Sequence, residues 1–212
     1  PQASPLSPHP PPMTPSARAA GTTETGFAYR KQQFQQIVED TLALARQMGA
    51  SDAGAEVSEG VGLSVSVRMG ELENVERNRD KSMGVSIYLG QRRGNASTSD
   101  FSAAALRQTV QAAYDIARFT AEDPAAGLPD AEDLATPAEV ARDLDLFHPW
   151  AIDAAAAAEL ARRCEAAALA ADRRIANSDG AAVSAQQAHF WAGHPRGFRG
   201  GRGTSSPSPS GL

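Results

Sequence analysis

The sequence predicts an α+β fold, an antiparallel sheet (a meander) packed with helices and flanked by disordered tails. Three observations carry this. Apolar residues recur at helical spacing in three separate segments, alternate with polar residues in the stretch between the first two, and short polar turns join the alternating runs. A period of 3.6 marks an amphipathic helix, and a period of two marks a strand with one buried face. Links of a few residues allow only antiparallel neighbours, since a parallel connection needs a crossover of about a dozen residues or more.

Seven of the 14 prolines lie in the first 15 residues, and the stretch 1–26 holds almost no large apolar side chain. Such a segment cannot offset its ordering entropy, so it is expected to be a tail. Its one functional reading is Pro8-His9-Pro10-Pro11-Pro12 as a polyproline ligand. Phe34, Ile37, Val38, Thr41, Ala45 and Met48 then define a helix over Lys31–Met48, stopped by Gly49. Val61, Leu63, Val65, Val67 and Met69 alternate with small or polar residues, which predicts a strand. Met69-Gly70-Glu71 turns it into a charged strand, Leu72–Asn78, and Arg79-Asp80-Lys81-Ser82 reads as a second turn. Met83–Leu89 is a third strand and Asn95–Ser99 a fourth, with Ala53–Ser58 pairing at the other end.

Ser102 caps a helix over Ala103–Phe119, whose stripe is Leu106, Val110, Ala113 and Ala117. Thr120–Trp150 is acidic and punctuated by proline, as a long irregular connection would be. Asp153 caps a third helix reaching Asp172, where 11 of 20 residues are Ala and close packing is expected. Arg174–Asn177 and Ala182–Ala192 read as two strands around Ser178-Asp179-Gly180. Twelve of the 18 residues from Pro195 onward are Gly, Ser or Pro. The expected organisation is a tail over 1–26, one α+β domain over 27–201 and a second disordered tail over 202–212.

Composition excludes several classes. Hydrophobic residues make up 42%, enough for a core, and the net charge of -5 argues against a nucleic-acid binder, which must neutralise phosphates with Lys and Arg. The single cysteine, Cys164, cannot form an internal disulfide, which suits a reducing compartment. No apolar run approaches the ~18–20 residues of a membrane span. No signal-peptide pattern opens the chain, so a cytoplasmic location with no membrane partner is expected.

The sequence offers no catalytic, metal or cofactor-binding set. His9, His148, His189 and His194 are the only histidines, and none lies in the helical HExxH spacing that holds zinc. His189 and His194 have no carboxylate close in sequence; Asp143, Asp145 and His148 put two acids and an imidazole within six residues, which could hold a cation, but they read better as a turn whose side chains satisfy backbone groups. Cys164 lies on the buried stripe of its helix, where a thiol behaves as a small hydrophobe. The charged strand stands out instead. Glu71, Glu73, Asn74, Glu76 and Arg77 crowd one short segment, either as a solvated edge protected by charge or as an edge that receives an extended peptide or a partner subunit, with Glu71, Glu73, Asn74 and Glu76 as the candidate contact residues. Arg196-Gly197-Phe198-Arg199-Gly200-Gly201-Arg202-Gly203 has the pattern of segments that bind single-stranded nucleic acid.

Taken in order, Ser51–Val57, Gly70–Glu76, Ala96–Asp100, Val110–Arg118, Asp143–Pro149 and Arg196–Gly201 resemble the TldD/PmbA family of metallopeptidases, over about Lys31 to Gly201. The resemblance implies a heterodimer in which zinc sits on an HExxxH helix in the second half of the TldD-type subunit. The other subunit type lacks that motif, and this chain resembles it. The resemblance thus implies a non-metal-binding subunit with a TldD-type partner, zinc in that partner, and peptides or unfolded segments as substrate. It stops near the midpoint of a family member, and 202–212 departs from it. A C-terminal domain is therefore expected to be absent, as from a truncated or frameshifted gene. The alternative reading is a stand-alone peptide- or RNA-binding module.

Overall fold

The longest feature is one hairpin. In the computed structural model, which describes residues 26–211, Asp52–Arg68 (β1) and Glu71–Leu89 (β2) pair antiparallel from Asp52↔Tyr88 to Arg68↔Glu71. Arg92–Thr98 (β3) pairs with the far end of β2, from Leu89↔Arg92 to Met83↔Thr98. Ala181–Gly193 (β4) lies along the other side of β1, and its outer side pairs with Arg199–Gly200 (β5) and Gly203–Gly211 (β6). The result is one six-stranded antiparallel sheet in the order β3-β2-β1-β4-β5, with β6 beside β4.

The helices cover one face of this sheet. Lys31–Gln47 (α1) and Ala103–Phe119 (α2) pack at one end; Ala154–Ala170 (α4) packs at the other. Each start is fixed locally. Gln33 accepts from the Arg30 amide (2.8 Å), Ser102 from Ala105 (3.3 Å) and Asp153 from Ala156 (2.8 Å). Alternation along β1 sends Ala53, Ala55 and Val57 into a core with Phe34, Val38 and Val110, and sends Leu63, Val65 and Val67 into a second core with Ala157, Ala158 and Ala161. Alanines on α4 bring helix and sheet close, as their abundance predicts.

The α+β class with an antiparallel sheet is the one expected, but four elements differ from the sequence reading. Arg79–Ser82 is not a turn, because β2 runs straight through it opposite Val61 to Ser58; these side chains are polar because the strand is exposed there. Ala53–Ser58 and Val61–Met69 are likewise one strand, which the glycines at 60 and 62 disguise. Arg174–Asn177 is not a strand. There Ile175 donates back to the Asp172 carbonyl, and Arg174 grips the Asp172 carboxylate. Residues 202–212 were expected to be disordered, yet Gly203–Gly211 is β6. Pro207 and Pro209 are compatible with it because they sit two apart on an edge, where their missing N–H groups face away from β4. The long connection also contains a short helix, Pro137–Ala141 (α3), started by a Thr136–Glu139 capping box. The expected tail at 1–26, with its proline cluster, lies outside the described residues except for Gly26.

Candidate functional site: the open edge of the hairpin

Because β3 ends at Thr98, opposite Met83, the outer side of β2 from Glu71 to Ser82 carries no further strand among the described residues. Glu71, Glu73, Asn74 and Glu76, singled out from sequence, all lie on this open edge, and all are exposed. The register sorts the edge into two faces. Val75, Arg77, Arg79 and Lys81 pair with Val65, Leu63, Val61 and Glu59, so they share the face that carries the helices. Asn74, Glu76, Asn78 and Asp80 pair with Ser66, Ser64, Gly62 and Gly60 on the bare face. A bulge between Ser66 and Val67 inserts Glu73 as the extra residue. Glu73 turns to the bare face, where it accepts from Ser66 Oγ at 3.3 Å. Cations therefore line one side of the strand and carboxylates the other.

Two buried carboxylates hold the hairpin in place. Glu165 on α4 accepts from the amides of Met69 and Gly70, each at 2.8 Å. Those are the two central residues of the turn, with φ of 51° and 80°, the geometry that favours a tight hairpin. The Gly70 amide does most to hold the Glu165 carboxyl below the usual carboxylate range, against the opposing effect of burial. Near the middle of β1, Glu59 is only 1% exposed. It accepts from the amides of Ala28 (2.8 Å) and Tyr29 (3.0 Å) and from Arg79 Nη1 (3.0 Å), tying the segment before α1 to the sheet between the two cores. His189 Nε2 lies 3.4 Å from Glu59 Oε2, with its ring between Phe27 and Phe34 at 4.1 and 4.4 Å. Burial pushes the imidazole pKa down, and Glu59 partly restores it.

Arg79 and Lys81 are thus engaged inward. Arg79 binds Glu59 and the Gly26 carbonyl, and Lys81 binds Tyr29 Oη and lies over the Tyr29 and Phe101 rings. Arg77 and Glu76 have no hydrogen-bond or ion-pair partner among the described side chains. Beside Arg77 a cavity of about 430 Å³ opens, walled by Leu63, Trp150, Ile152 and Gln187. Sequence reasoning placed Arg77 on this strand with the acids, but it missed that Arg79 and Lys81 continue the strand on the same face, and it missed Trp150. Reading 72–81 as one continuous strand would have revealed the alternation of charge, whereas no local signal marks Trp150.

The other candidates do not converge. His189 faces the helix side, while His194 lies on the opposite face beside Phe198. His148 Nε2 reaches only Asp145, at 3.1 Å, on an exposed turn. Among the described residues no three His, Cys, Asp or Glu side chains are placed to hold a metal ion, so this part of the chain does not fit a zinc site. Nor is Arg196–Gly203 a free Gly/Arg segment. Arg196 binds Asp52 and the Leu128 and Pro129 carbonyls, Arg199 binds Glu39 and the His194 carbonyl, and Gly200 lies in β5. Among the described residues no helix is long and apolar enough to cross a membrane.

Known proteins share this architecture. The family model described as PmbA/TldA metallopeptidase domain 1 matches residues 54–117, which span most of the hairpin, β3 and α2. Metalloprotease PmbA of Escherichia coli O157:H7 is 49% identical over 150 residues, covering 69% of this chain and 32% of that protein. The Metalloprotease PmbA homolog of Haemophilus influenzae is 45% identical over 155 residues, covering 73% and 34%. The chain spans about a third of the length of the curated relatives it matches. The fold matches the crystal structure of TldE from Thermococcus kodakarensis with a TM-score of 0.62 at 12% identity, over 83% of this chain and 39% of that one. On these matches the chain belongs to the PmbA/TldD metallopeptidase family, where it is of the PmbA (TldE) type and corresponds to the N-terminal part.

Proposed function

We propose that this chain serves as the N-terminal part of a non-metal-binding subunit in a TldD/PmbA peptidase complex, where it holds the peptide while a TldD-type partner carries the zinc and cuts. The observation that carries the reading is the open edge of β2. A strand edge offers unpaired backbone donors and acceptors to any extended chain, independently of its sequence, which is what a peptidase acting on unfolded segments requires. The two outer edges of the sheet are not equivalent. Pro207 and Pro209 remove donors from β6, while Glu71 to Ser82 contains no proline. The chain's own described residues take no chemical step in this reading, because they supply no nucleophile–base pair and no metal donor set.

The test combines binding and turnover. Purified chain is titrated into a fluorescent unfolded peptide, then mixed with a TldD-type metallopeptidase and assayed for cleavage, with zinc measured by elemental analysis. The expected result is peptide binding without cleavage or stoichiometric zinc in the chain alone. Cleavage by the chain alone with one zinc bound, or no peptide binding at all, overturns the proposal.

A further inference from the structure

We infer that the open edge selects among extended peptides by charge alternation, taking acidic side chains on the face of Arg77 and basic ones on the face of Glu76. The inference rests on the peptide-holding role proposed for β2. A strand added to β2 places each residue directly opposite one of its own, on the same face, with Cβ atoms about 5 Å apart. Successive residues of the added strand alternate faces. One set would meet Leu72, Val75, Arg77, Arg79 and Lys81, and the other Glu73, Asn74, Glu76, Asn78 and Asp80.

The uncommitted charges decide the preference. Arg79 and Lys81 already have partners in Glu59 and Tyr29, and Asp80 accepts from Asn78 Nδ2 at 3.0 Å. Glu76 and Arg77 are consecutive, exposed and without side-chain partners, so they point opposite charges to opposite faces at the centre of the edge. The cavity by Trp150 and Ile152 adjoins Arg77, giving an acidic residue with an apolar neighbour two positions away a place to lie on the same face. The occupant that fits is an extended segment in which acidic and basic residues alternate.

Two labelled peptides of identical composition on a Thr/Val background test this by anisotropy against the full chain. In one, acids occupy odd positions and bases even positions; in the other, all charges fall on odd positions. The alternating peptide is expected to bind about three- to tenfold more tightly, the effect of one or two cross-strand charge pairs. Added salt is expected to narrow the gap. Glu76→Arg makes both faces basic and is expected to abolish the preference. The double variant Glu76→Arg/Arg77→Glu exchanges the faces and is expected to restore it, because the peptide needs only to slide by one residue. Both positions are exposed, so circular dichroism of the single and double variants should match that of the parent. Equal binding of the two peptides, or failure of the double variant to restore the preference, overturns the charge inference while leaving the peptide edge standing. No binding by either peptide overturns both.

Discussion

At the scale of single residues, the groups that organise this molecule are carboxylates placed where an apolar side chain would be expected. Glu59 occupies an inward position of β1, in line with Val57 and Leu63, yet it is satisfied by two amides and Arg79. That environment extends to His189. Its folded pKa lies below the ordinary 6.5 because burial outweighs the pull of Glu59, so between the two values the unfolded chain binds more protons than the folded one. The His189 contribution to stability is therefore whole above 6.5 and is lost as pH falls toward the folded value. Urea unfolding of the parent between about pH 7 and 5 is expected to show stability falling with acid, and His189→Gln to flatten that slope. Identical slopes in the two proteins would count against it. None of this was legible in the sequence, where Glu59 lies 130 residues from His189 and reads as another polar residue of an alternating strand.

At the scale of elements, close approach of α2 to β3 depends on Gly94. A β carbon there would sit 2.0 Å from the Ala113 carbonyl oxygen and 2.5 Å from the Ala117 nitrogen, both helix backbone that cannot swing aside. Gly94→Ala is expected to force α2 off the sheet and cost about 1–3 kcal/mol, the usual range for overpacking a filled core. Denaturant titration checks it, and an unchanged midpoint refutes it. The three long helices were legible because periodicity and caps agreed at each one. The halves of β1 were also legible, since Val61 to Met69 alternates cleanly. What failed were the places where composition imitates another state. Arg79–Ser82 has turn chemistry but is the exposed middle of β2, and β6 has tail chemistry but finds a partner in β4 far away in sequence. Edge strands are poor in the apolar alternation on which strand prediction rests, because one side of each faces water. The candidate site was legible to the extent of Glu71, Glu73, Asn74, Glu76 and Arg77. Arg79 and Lys81 were not, because the false turn at Arg79 hid the continuity that gives them a common face with Arg77.

At the scale of the whole molecule, the charge pattern proposed to suit a foreign peptide is also expected to keep the chain from pairing with itself. Two copies joined edge to edge by an antiparallel two-fold contact would form one continuous sheet, with like faces on the same side. Arg77 would then stand among the cations of the second copy and Glu76 among its carboxylates, and like charges opposite one another destabilise a pair of strands. The guard is needed, because Leu72 and Val75 leave half-exposed apolar surface on that strand, at 50% and 43%. Replacing Glu73, Glu76 and Arg77 together by Gln removes the guard and keeps the backbone edge. Sedimentation velocity at rising concentration is expected to show the triple variant associating more strongly than the parent. Salt separates the two uses of the edge. Screening weakens repulsion between copies and attraction for an alternating peptide alike. Self-association of the parent is therefore expected to rise with ionic strength while its peptide binding falls. A parent that dimerises through this edge at low salt, or a triple variant that associates no more than the parent, shows that charge on β2 does not keep the edge free for another chain.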